Sequence, residues 1–352
     1  MHDSIIPLFI GTYTRTGKSQ GIYICGFHID TGKAVVNHVA EANNPSFLAI
    51  TSDRRFVYAV DEKDRVGSVL AYRYHEGKRE LELLNRQPIE GVTPCHIAVD
   101  RQSRYAVVSN YSSGNLNVFS IGRDGHIGEL VQKIEYEGRG PNPDRQEKPH
   151  IHSTFFSNDE QFVFVQDLGT DRIYIYHYSP QDNAPLQPTP ISFIESTAGG
   201  GPRHIALSRD GRYVYLVQEL MARVSVYIHM GGRLLPIQEV DINEQGFHGS
   251  NGAAEIKISP DGNFLYASNR GSANVLAVYS VNSEHGTLIK IGNQSVLGVG
   301  PRNFTISPNG KFLLVGNQES DEVVIFKRDL GTGLLSDSGQ RIHVGAPVCL
   351  VF

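Results

Sequence analysis

A seven-bladed β-propeller of four-stranded antiparallel sheets is the all-β fold class this sequence predicts, on three observations. One pattern recurs along the chain, tight turns join its apolar strands, and the two chain ends are incomplete in complementary ways. The pattern is a Pro-containing entry, an apolar strand, a polar turn and a second apolar strand. It is written nearly in full from Pro45, Pro94, Ile151, Pro202, Ala253 and Pro301, and starts again at Pro347. Successive copies lie about 50 residues apart, the length of a four-stranded blade.

Within a copy, the first two strands close on pairs such as Asp210-Gly211, Asp261-Gly262 and Asn309-Gly310. These residues accept the positive φ angles of a tight hairpin turn. A third β-rich segment follows, as at 172–178, 223–229 and 322–327, and a variable fourth completes the unit. The sequence stops shortly into a copy, at Phe352, whereas LFIGTYT from Leu8 reads as a second strand without a first. The last strand is therefore expected innermost in the blade formed by residues 8–41, closing a ring of seven and giving one domain over 1–352.

Composition agrees with a folded chain. Apolar residues are 40% and charged residues 20% of 352, with 36 Gly and 17 Pro, which excludes a disordered chain or a coiled coil. The net charge of -5, from 32 Lys+Arg against 37 Asp+Glu, gives no basic field for nucleic acid and no polybasic signal for a membrane. No window approaches the roughly 18 uncharged apolar residues of a membrane span, and any anion site must be local. Three scattered cysteines, Cys25, Cys95 and Cys349, do not make a disulfide framework. Their odd number fits a reducing compartment, and Asp3 stands where a secretory signal carries basic residues, so a cytoplasmic protein is expected.

The repeat also maps the channel. First strands line it, so equivalent positions in different blades sit at one height. One residue after the entry the column reads Ser46, Cys95, His152, Arg203, Ala254 and Arg302; at the end of the second strand it reads Glu62, Tyr111, Leu168, Glu219, Arg270 and Gln318. The two columns meet at one mouth, because the start of one hairpin strand faces the end of the other. Three consecutive blades there carry His152, then Arg203 with Glu219, then Arg270. A histidine takes a proton from water near neutrality, and arginines hold phosphate or carboxylate through paired N–H groups. Glu219 orients the histidine or acts as base itself, and an adjacent arginine keeps it ionised. A purely structural ion-pair network is the competing reading.

Other features carry less. The His150-x-His152 spacing invites a metal reading, which two histidines alone carry weakly, and no metal site is expected. His96 and His204 share a blade position behind the channel column, with the expected job of tying blades together by hydrogen bonds. Cys95 shares the His152 column and reads as a small hydrophobe before it reads as a nucleophile. The run Gly199-Gly200-Gly201-Pro202 lacks the Lys-Ser/Thr and helix of a phosphate loop. Residues 138–148, the longest departure from the repeat, run directly into His150 and His152 and are expected over the mouth, as a partial lid or a solvated insert.

In order and in register, FIGTYT from Phe9, PHIHS at 149–153, GPRH at 201–204 with YVYLVQE through Glu219, SNR ending at Arg270 and GPRNF at 300–304 resemble the seven-bladed propeller lactonases, relatives of carboxymuconate cyclases. The resemblance covers essentially the whole chain. It implies hydrolysis of the δ-lactone of 6-phosphogluconate, the second oxidative step of the pentose phosphate route, with a small anionic lactone as substrate and no cofactor. It implies His152 and Glu219 as catalytic residues and Arg203 and Arg270 as substrate-binding residues, with Asn269, Asn317 and Gln318 as further substrate contacts. A lactonising cycloisomerase and a non-catalytic binding scaffold are the alternatives, and no motif fixes the oligomeric state.

Overall fold

The computed structural model describes residues 4–62 and 67–352. Among these residues, twenty-eight strands form seven four-stranded antiparallel sheets in a ring. The innermost strands, numbered here by blade, are Pro347–Val351 (blade 1), Leu48–Ile50 (2), Pro94–Val99 (3), Ile151–Phe156 (4), Pro202–Leu207 (5), Ala253–Ile258 (6) and Pro301–Ile306 (7). Blade 1 is the composite the sequence predicts: Pro347–Val351 pairs with Ile5–Thr12, which continues into Gly21–His28 and Ala34–Glu41. The last strand to appear in the sequence thus lies at the channel, beside the first.

Local chemistry explains the hairpins. Gly211, Gly262 and Gly310 take φ of 71°, 80° and 73°, and each turn is braced by a hydroxyl, as where Ser208 Oγ donates to Asp210 Oδ1 at 2.7 Å. Burial is organised between blades. Leu8, Ile10, Cys25 and Phe27 of blade 1 pack with Phe312, Leu314, Val323 and Ile325 of blade 7, and Leu350 of the closing strand joins them. Seven such inter-sheet cores follow one another around the ring.

A register shift recurs where the innermost strand starts. Pro202 pairs with Gln218 and His204 with Val217, leaving Arg203 as an extra residue, and the same shift falls at Ile151/Ser153, Pro94/His96 and Pro301/Asn303. Such a bulge re-aims side chains. It turns Cys95, His152, Arg203 and Arg302 toward one mouth, and the following residue, two after the entry, into the channel beneath them.

Five residues of that second layer meet as a floor: Phe47, His96, His204, Glu255 and Asn303. Ring centroids of Phe47 and His96 lie 4.1 Å apart, and those of Phe47 and His204 5.7 Å apart although their blades are not neighbours, so the contact crosses the axis. His204 Nδ1 is 3.2 Å from Glu255 Oε1, Asn303 donates to Glu255, and Leu350 N donates to Asn303 Oδ1 at 2.8 Å. The expectation that His96 and His204 lie behind the channel column is corrected here: they tie blades together from within the channel, because the bulge adds a residue ahead of them.

Candidate active site

Above the floor lies a cavity of about 460 Å³ lined by residues of both columns, among them Glu62, Cys95, Tyr111, His152, Glu219, Arg270 and Arg302, together with Tyr13, Arg15 and Arg145. Glu219 is its focus. Its carboxylate accepts from Arg145 Nη2 at 2.6 Å on one oxygen and from Arg203 Nε at 3.1 Å on the other, with Arg270 Nη2 3.2 Å from that second oxygen. Arg203 and Glu219 are neighbours across their hairpin, and Arg203 also donates to the carbonyl of Ala254 in the next blade. His152 Nε2 lies 3.9 Å from Glu219 Oε2. The four side chains singled out by the repeat therefore converge.

Their protonation follows from this geometry. Burial alone would raise the Glu219 acid, but Arg270, Arg203 and Arg145 outweigh it and hold its pKa at about 2, so it is ionised and a feeble base. Burial first, then the charge on Arg203, pushes His152 well below its ordinary 6.5. His152 is neutral at pH 7 and has a lone pair to accept a proton. The Cys95 thiol is pushed up to about 12 by burial, which leaves no thiolate for nucleophilic attack.

The insert at 138–148 is a fixed strap. Gln146, fully buried, donates to the Leu168 carbonyl at 2.9 Å and to Asp171 Oδ1 at 2.7 Å. That anchor carries Arg145 over the mouth to Glu219 and to the Tyr111 hydroxyl, 3.3 Å away. Arg145 and Tyr13 were not singled out by the sequence, although Tyr13 ends the strand equivalent to those ending at Glu219 and Arg270. His150 stacks on Tyr111, whose ring also meets His152 edge-on, and faces Glu147 at 3.1 Å.

Four expected substrate contacts do not line the cavity: Arg203, 2% exposed, lies behind it on Glu219 and the Ala254 carbonyl, and Asn269, Asn317 and Gln318 are placed elsewhere. The Asn269 amide bonds Asn243 and Asn251 and accepts from Gly252 N, because strand alternation that aims Arg270 inward aims Asn269 away. Asn317 donates to the Val296 carbonyl, tying a loop. Gln318 does not line the cavity; Arg302 of the same hairpin does.

Three buried histidines make stability pH-dependent. His96, His152 and His204 are each at most 5% exposed, and burial lowers all three, His204 to about 4. Arg203 adds to the effect on each, while Glu255 opposes it at His204. Unfolded histidines take up protons near 6.5 and these do not, so stability present above that pH is lost as pH falls from 6.5 toward 4. Three protons correspond to a slope of about 4 kcal/mol per pH unit at most. Glu62 and Asp167, raised by burial, oppose the trend toward the acid end. Urea midpoints at pH 7.5, 6.5 and 5.5 should fall across the last interval; an unchanged midpoint contradicts a neutral floor.

Comparison with known proteins is consistent with this architecture. Residues 7–352 match the family model described as lactonase, 7-bladed beta-propeller. A 6-phosphogluconolactonase of Bacillus subtilis is 34% identical over 349 residues, covering 98% of this chain and 97% of the relative. Another, of Formosa agariphila, is 34% identical over 341 residues, 96% of each chain. The solved structure of a periplasmic gluconolactonase of Pseudomonas aeruginosa superposes with a TM-score of 0.94 at 35% identity, covering 99% of both chains. The chain belongs to the seven-bladed β-propeller lactonase family, with 6-phosphogluconolactonases among its relatives.

Proposed function

We propose that this protein hydrolyses 6-phospho-D-glucono-1,5-lactone to 6-phosphogluconate. The observation that carries the reading is a neutral, buried histidine beside a carboxylate pinned by three guanidiniums, in an electropositive well. His152 takes a proton from water as the water oxygen bonds to the lactone carbonyl carbon. The carbonyl electron pair moves to oxygen, where Arg270, which lines the cavity, meets the negative charge, and Arg203 behind Glu219 adds its field. Collapse of the tetrahedral intermediate breaks the bond to the ring oxygen, which takes the proton back from the imidazolium. Glu219, too acidic to be the base, steadies the imidazolium and fixes the arginines. No redox step is involved, and a δ-lactone that opens slowly in water needs only a modest rate gain.

The similarity to a gluconolactonase favours a second reading, hydrolysis of the unphosphorylated lactone. Acid release from freshly prepared 6-phosphogluconolactone, gluconolactone and carboxymuconate, each corrected for spontaneous reaction, decides between them. The phosphorylated lactone is expected to show the highest kcat/KM. Preference for gluconolactone favours the second reading, lactonisation of carboxymuconate makes the protein a cycloisomerase, and no acceleration of any leaves a binding scaffold.

A further inference from the structure

Of the four arginines that line the cavity, Arg145 and Arg270 are engaged by Glu219, whereas Arg15 and Arg302 are held differently. The Arg15 guanidinium carbon lies 4.0 Å from the centroid of the Tyr13 ring and that of Arg302 lies 5.3 Å from it. Among the described residues, neither guanidinium lies within ion-pair distance of a carboxylate, and neither donates a side-chain hydrogen bond. Glu62, the other carboxylate lining the cavity, accepts from Ser46 Oγ and forms an ion pair with neither guanidinium. Stacking occupies the flat face of a guanidinium and leaves its N–H edges free. Two sets of donors beside one aromatic ring, both lining the cavity, suit a tetrahedral anion with several acceptor oxygens.

We propose that Arg15 and Arg302, braced on Tyr13, form the subsite for the phosphate monoester of the ligand. The ligand then spans the well, its phosphate at blades 1 and 7 and its reacting carbonyl at blades 4 and 6, against His152 and Arg270. This division explains why one pocket holds two groups of cations: those on Glu219 are fixed for the developing oxyanion, and those on Tyr13 keep donors for a permanent charge. The carbonyl end rests on the lactonase reading above; the phosphate end does not need it.

The test pairs calorimetric binding of 6-phosphogluconate and of gluconate with kcat/KM for the two corresponding lactones. Arg302→Gln and Arg15→Gln are each expected to weaken 6-phosphogluconate binding by about 10- to 100-fold, the usual loss for one charge-assisted contact. The ratio of kcat/KM for phosphorylated over unphosphorylated lactone should fall by a similar factor. Arg302→Lys, which keeps charge but not the stacked fork, should recover part of the loss. An unchanged ratio and unchanged binding in both glutamine variants overturns the proposal, as does a collapse of the ratio in Arg270→Gln alone. Arg15 is exposed, so its variant carries the test if Arg302→Gln fails to fold. If the wild type opens neither lactone yet both glutamine variants lose 6-phosphogluconate, the lactonase reading fails and the subsite stands.

Discussion

Removing residues 346–352 is expected to abolish cooperative folding. The deletion takes away the innermost strand of blade 1, whose Val348, Cys349 and Leu350 are at most 2% exposed. Each buried Val or Leu side chain contributes about 1.5–3 kcal/mol, and the strand also pairs along Phe9 to Thr12 and meets the floor through Leu350 N and Asn303. Together these approach the whole net stability of an ordinary domain, about 5–15 kcal/mol. The strand Ile5–Thr12 would be left as an open edge able to pair with other chains. Circular dichroism melts and light scattering of the truncated chain check this, with Leu350→Ala as a graded control expected to cost about 2–5 kcal/mol. A truncated monomer melting like the full chain would show that the ring does not depend on its closing strand.

His152→Ala is expected to lower kcat by about 10²- to 10⁴-fold, the span for removing one general acid–base group, with little change in melting temperature. Glu219→Gln is expected to lower both. It leaves three guanidiniums around a neutral amide, and breaking a buried ion pair costs about 3–5 kcal/mol. The contrast separates the base from the group that positions it. Because His152 sits well below 6.5, kcat/KM in the wild type should be level between about pH 6.5 and 8 and decline only in more acid solution. Undiminished turnover in His152→Ala would remove the mechanism, since neither the ionised Glu219 nor the Cys95 thiol is a competent substitute.

The repeat made blade number, ring closure and the inward-facing columns legible, because each rests on a periodicity that backbone geometry enforces. It selected His152, Arg203, Glu219 and Arg270, and these meet. What it could not supply was reach. Arg145 belongs to an insert with no counterpart in the other blades, and only the buried Gln146 anchor shows where its side chain falls. Arg302 stood in the column, but its significance depends on Tyr13 holding its face, a contact between blades that no single repeat contains. Asn269 and Asn317 were misjudged by adjacency: a residue beside a channel position on a strand faces the other way and is available to tie loops.

The floor has a consequence for traffic. Phe47 and His204 meet across the axis beneath His152, which narrows the channel there and favours exchange through the mouth under the Arg145 strap. In the proposed reaction, ring opening turns a neutral ester into a carboxylate, so the product would carry one more negative charge than the substrate past the same guanidiniums. Product release is then the step those cations slow, and added salt should speed it.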